Sequence, residues 1–122
     1  MNGVADVSER VNGVALLDFY GPLLTGRRRE IMRLYLEEDL SLAEIAEQLG
    51  VTRQAVSDAL RKGREQLDGY EAALGLVSRY TRMIEQAGAG LEALDSLSES
   101  GLKDARLNRA RQAFENIIQI ER

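Results

Sequence analysis

The 122-residue chain contains no cysteine and no histidine. Disulfides, thiol nucleophiles, Cys/His zinc sites and histidine acid–base chemistry are therefore excluded together. Proline occurs once and aromatic residues make up only 5% of the chain. With abundant Leu, Ala, Glu, Arg and Gln, that scarcity points to an all-α protein. Long apolar runs are missing too: Val14 to Leu17 falls far short of the roughly 20 residues that span a bilayer. The opening MNGVADVSER has no apolar signal core, so a cytoplasmic protein is expected. Nor is there a surplus of positive charge, since 16 Lys and Arg against 20 Asp and Glu leave −4. A general polyanion binder is more basic than this, so any nucleic-acid contact has to come from a local patch.

The length suits one domain, or one small domain with an appended helical hairpin. The first ten residues are expected to fray. A helix begins near Ser8 and stops near Tyr20, where Gly21 and Pro22 end the ladder. Thr25 is an N-cap for a second helix, with Ile31, Leu34 and Tyr35 on its buried side and Glu37-Glu38-Asp39 at its end. Ser41 and Glu44 form a capping box for a short third helix, which Gly50 ends. Thr52 caps a fourth. Its apolar or small residues recur at Val56, Leu60, Gly63, Leu67, Tyr70, Leu74, Val77, Thr81 and Ile84, a heptad-like seam. Gly63, Gly69 and Gly75 make a kink or break conceivable there. Gly88-Ala89-Gly90 is expected to end this segment, and the stretch from Ser96 to Gly101 reads as a loop. A last helix carries Leu107, Ala110, Phe114 and Ile117.

Residues 42–61, LAEIAEQLGVTRQAVSDALR, have the pattern of a helix-turn-helix. Ala46 is small where two helices would cross, and Gly50 falls where the turn asks for positive φ. Ile45, Leu49, Val51 and Val56 are placed to glue the pair. The bland alternative is a helical hairpin that never touches nucleic acid, because fold alone does not fix function. In a helix-turn-helix the second helix enters the major groove, and its first turns face base edges. Here Thr52, Arg53, Gln54 and Ser57 are the candidate base readers. Arg53 suits guanine and Gln54 adenine. Arg61, Lys62 and Arg64 follow as candidate phosphate contacts, joined by Arg27 and Arg28 from the Arg27-Arg28-Arg29 cluster. From Thr52 to Arg64 the local charge is +3. Asp58 cuts against that patch. Either it accepts from a cytosine amino group, or it pairs with Arg61 or Lys62 on its own helix. The arginine cluster has a plainer reading as a solvated face partly paired with Glu30.

Catalysis is hard to build from these residues. Glu37, Glu38 and Asp39 are explained as a helix end, and Glu44 is occupied by its cap. Gly88-Ala89-Gly90 lacks the lysine, the hydroxyl residue and the preceding strand of a phosphate loop. No spacing resembles a calcium loop, so neither a cofactor nor a metal is expected. Tyr20, Tyr35, Tyr70 and Tyr80 could stack on unpaired bases, but each falls on an apolar stripe, where a packed ring with a wet hydroxyl is commoner. A helix of about 30 residues would run about 45 Å. That exceeds what a compact monomer of this size covers, and favours a homodimer.

Leu17-Asp18-Phe19-Tyr20, Leu23-Leu24-Thr25, Leu34-Tyr35, Asp39 to Ala46 and Arg53-Gln54-Ala55-Val56 resemble the YlxM family of helix-turn-helix proteins. The resemblance spans roughly residues 11–85, and the family's motif is itself similar to region 4 of bacterial sigma factors. It implies a small cytosolic bacterial protein linked to the signal recognition particle pathway, with dimers of long helices. Ser57 stands where relatives carry a larger side chain. The expectation is thus an all-α chain with a sigma region 4-like helix-turn-helix domain at 8–64 and a dimerising helical extension at 65–122. It would be a non-enzymatic regulator, with DNA the expected ligand. The alternative is a module that binds the particle's RNA or protein.

Overall fold

A computed structural model describes residues 7–101 and 103–119, with side chains from residue 10. Among the described residues there are six α-helices and no strand, as an all-α chain requires. The expected frayed start lies mostly outside the described residues, and its last four, 7–10, already belong to the first helix.

The first compact unit ends at Val77 and the second begins at Ser78, whereas the sequence suggested a division after residue 64. In the first, α1 (Val7–Tyr20) stops at a 3-10 turn, Gly21–Leu23, in which Pro22 provides the starting geometry. Thr25 caps α2 (Gly26–Leu36) by accepting from the Arg28 N–H. The capping box forms as expected on α3 (Leu42–Leu49): the Ser41 hydroxyl accepts from the Glu44 N–H, and the Glu44 carboxylate accepts from the Ser41 N–H, both at 3.1 Å. The bond from the Ser41 N–H and, after it, the Ser41 hydroxyl hold the Glu44 carboxyl below the usual carboxylate range. Gly50 takes φ +68°, the left-handed turn predicted for it, and Thr52 caps α4 (Arg53–Leu74).

Two apolar clusters share α2 and α4. Met32 and Leu36 face one way, onto Leu16, Leu17, Tyr20, Leu24 and Leu67. Ile31 and Leu34 face the other, onto Ile45, Ala46 and Val56. Each buried aliphatic side chain contributes about 1.5–3 kcal/mol. The seam of the fourth helix is therefore spent within the chain as far as Tyr70, on α1, α2 and α3. Gly63 is what lets α4 approach α2. A Cβ there would lie 2.9 Å from Met32 Sδ and 3.2 Å from Arg28 Cγ. At Gly69 a Cβ would meet open space.

Gly75 is where the expected long helix breaks. It adopts φ +63°, its N–H closes onto the Glu71 carbonyl at 2.8 Å, and α5 (Leu76–Glu99) starts afresh. The new helix start is capped from the core. Tyr20, whose ring is fully buried, donates its hydroxyl to Glu71 Oε1 at 2.5 Å and accepts from the Leu76 N–H at 3.0 Å. Glu71 Oε1 also accepts from the Val77 N–H. Burial above all, then the adjoining Glu71 carboxylate, pushes the Tyr20 hydroxyl above the ordinary tyrosine value. With 22 residues in α4 and 24 in α5, no single helix reaches the length from which a dimer was expected, and that geometric premise falls.

The second unit contains α5 from Ser78 onward and α6 (Ala105–Gln119). Gly88-Ala89-Gly90 does not end a helix, contrary to expectation, and α5 also runs through the supposed loop as far as Glu99. On α6 the Phe114 ring lies over Gly90, 2.6 Å from where a Cβ would sit, so a side chain there would displace the ring. Arg111 pairs with Asp95 and reaches Ser98 Oγ at 3.5 Å, making an antiparallel hairpin. Acidic residues near the end of α5 and basic ones near the start of α6 each oppose their own helix dipole. Asp104 offsets this at the start of α6, accepting from the Arg106 N–H at 2.8 Å and pairing with its guanidinium at 2.7 Å. Ala87 is buried, whereas Leu107, Phe114, Ile117 and Ile118 of α6 stay half-exposed.

Candidate nucleic-acid interface

The face opposite the core side of α4 starts directly after the Gly50 turn. Val51 returns its N–H to the Ala46 carbonyl at 3.0 Å, and Val56 is fully buried against α2 and α3. That burial fixes the rotation of the helix and sends residues 53, 54, 58 and 61 outward. Thr52 has a structural duty as well: its hydroxyl accepts from the Ala55 N–H at 3.0 Å. Arg53 is exposed on the first turn, Gln54 is exposed beside it, and Ser57 is half-buried. Lys62 is exposed on the flank of the same helix.

The other predicted contacts are engaged with the protein. Arg61 lies between Asp58 at 3.6 Å and Glu65 at 3.5 Å. Both pairs are exposed, so each is worth only about 0–1 kcal/mol and a phosphate could displace it. Arg64 is half-buried, donates to Asp68 at 3.0 Å, and lays a guanidinium nitrogen 3.3 Å from where a Cβ on Gly13 would sit. Arg28 is half-buried too, donates to Gln66 Oε1 at 2.8 Å and drapes its stem over Gly63. Arg27 is exposed on the first turn of α2. Glu30 pairs with Arg33 at 2.9 Å rather than with the triplet, and its carboxyl is held low by that bond. The structure therefore gathers Thr52, Arg53, Gln54, Ser57 and Arg61 on one helix, with Lys62 at its flank, and turns Arg28 and Arg64 toward packing.

Asp58 is the residue whose two readings meet. Its Oδ1 accepts from Gln54 Nε2 at 3.2 Å and faces Arg61. Sequence reasoning missed two further anchors. Arg10 donates to the Tyr35 carbonyl at 2.8 Å, pairs with Asp39 at 2.9 Å and stacks over the Tyr35 ring, which ties α1 to the link before α3. Asp39 itself is held at φ +56°. The Tyr20–Glu71 node is the other, and nothing in a helical repeat points to it.

Elsewhere, an open pocket of about 140 Å³ is lined by Leu17, Asp18, Arg29, Arg33 and Glu37. Among the described residues no group of three or more carboxylates could hold a metal ion. No described helix is long and apolar enough to cross a membrane.

Comparison with known proteins agrees with this architecture. Residues 7–104 match the UPF0122 family model, described as "Putative helix-turn-helix protein, YlxM / p13 like". A UPF0122 protein of Acetivibrio thermocellus is 43% identical, over 85% of this chain and 92% of its own length. One from Symbiobacterium thermophilum is 47% identical, over 85% of this chain and 91% of its own. One from Desulforamulus reducens is 41% identical, over 85% and 88%. With a helix-turn-helix in place and relatives matched along nearly their whole length, the chain belongs to the UPF0122 family.

Proposed function

We propose that this protein is a non-enzymatic regulator that binds duplex DNA, laying the first turns of α4 in the major groove. The observation that carries the reading is the outward face of α4 after the left-handed Gly50 turn, where Arg53 and Gln54 are exposed side by side. Arg53, Gln54, Thr52 and Ser57 read base edges. Lys62 and Arg61 hold phosphates, with Arg27 as an outer contact, while Arg28 and Arg64 are engaged in packing. The resemblance in the sequence supports a cytoplasmic role linked to the signal recognition particle pathway. The half-exposed apolar stripe of α6 supports a homodimer that doubles a weak half-site.

A second reading has one observation in its favour: Asp58, Glu65 and Asp68 sit on or beside the same face and neutralise its arginines. In that case the face docks the particle's RNA or a protein. Salt titration tests the leading reading. Contact with about three phosphates gives a log–log slope of affinity against salt near −3. A flat response on every duplex would sink it.

A further inference from the structure

We infer that Asp58 is a specificity-determining residue of the reading face, selecting a cytosine amino group while Gln54 positions it. The inference rests on the major-groove reading above. An ionised carboxylate has no donor, so the Gln54 side chain has to turn its NH2 toward Asp58 Oδ1, at 3.2 Å. That leaves the Gln54 carbonyl as its remaining acceptor. The bond to Asp58 takes one of the two Gln54 N–H donors and fixes the direction of the amide, leaving the second N–H and the carbonyl for a neighbouring base. On the far side, Arg61 approaches the same Oδ1 at 3.6 Å. Oδ1 is thus held between two donors of its own helix, both contacts fall on Oδ1 rather than Oδ2, and the side chain is 46% exposed.

At position 58 itself a duplex meets Asp58 Oδ2, an acceptor with no donor on its own side chain. In the major groove acceptors match exocyclic amino groups, and a carboxylate is the partner suited to cytosine N4. A guanine or thymine edge would oppose oxygen with oxygen. The carboxylate works as a filter as well. It repels the phosphate backbone on every sequence and recovers that loss only where an amino group meets it.

The test selects duplexes from a randomised pool with the full-length wild type, Asp58→Asn and Asp58→Ala, then measures affinities for the winners at fixed salt. The wild type should prefer cytosine at one position over the other bases by about five- to a hundredfold. Asp58→Asn supplies a donor beside its acceptor and should move that preference to adenine, leaving the other positions unchanged. Asp58→Ala should raise affinity for duplexes lacking cytosine there, leave the cytosine duplex little changed, and so erase the preference at that position alone. If either variant alters affinity equally on all sequences and the selected motif is unchanged, Asp58 is a repelling charge and the inference fails while DNA binding stands. If the wild type shows no salt-dependent binding to any duplex, the functional reading fails and takes the inference with it. Because Asp58 is exposed, unchanged circular dichroism melts should accompany every variant.

Discussion

Gly63 and Gly69 lie in the same helix, six residues apart, and differ in what surrounds them. Replacing either by alanine adds the same methyl group and recovers about 0.8–1 kcal/mol of helix propensity. At Gly69 the methyl enters open space, so stabilisation by about 0.5–1 kcal/mol is expected. At Gly63 it would come within 2.9 Å of Met32 Sδ and 3.2 Å of Arg28 Cγ, under the α2–α4 crossing. Met32 is buried, and inserting a methyl into such packing costs about 1–3 kcal/mol. The two alanine variants should therefore differ by about 2 kcal/mol, Gly69→Ala being the more stable. Urea unfolding followed by far-ultraviolet circular dichroism reads this directly. With m near 1 kcal/mol/M, expected for a small domain, the midpoints should separate by about 2 M. Should Gly63→Ala raise the midpoint as far as Gly69→Ala does, the close approach of α2 to α4 is not limiting, and the account of the core is wrong.

Two further expectations concern stability. The raised Tyr20 hydroxyl favours its neutral form in the folded state, so its contribution is complete below the ordinary tyrosine pKa near 10 and is lost as pH rises through the higher folded value. Tyr20→Phe should lower the melting temperature at neutral pH and remove that alkaline step; a variant melting like wild type at both pH values would refute the node. Gly90→Val should open the α5–α6 hairpin by driving a side chain into the Phe114 ring, with Phe114→Ala restoring part of the loss. Hydrogen exchange along α6 measures it, and undiminished protection in Gly90→Val would count against the packing.

What could be read from the sequence was what neighbouring residues decide among themselves. Ser41 with Glu44, Gly50 and Thr52 act over three or four positions, and each took the role its spacing assigns. The outward placement of Arg53 and Gln54 followed from the same local logic. Glycine shows where that logic stops. Gly75 breaks a helix, Gly63 admits a neighbour and Gly69 does neither, yet all three look alike within one periodic seam. Gly88-Ala89-Gly90 reads locally as a helix end but lies inside α5, and the ring that covers Gly90 comes from Phe114, on the next helix. Arg28 and Arg64 looked like surface cations, but Gly63 and Gly13 leave room for them to lie against the protein. Partners brought together by folding decide such cases, and periodicity does not encode them.

Helix α4 lends Leu67 to one apolar cluster and Val56 to the other while holding Gln54 and Asp58 outside. One rod is thus both beam and alphabet. Positions 53, 54, 58 and 61 can be rewritten with little charge to the frame, so new recognition can be explored by surface substitution alone. The converse is stricter: the lettering cannot be tilted, slid or retracted on its own, because any such movement would drag the keel of the domain along with it.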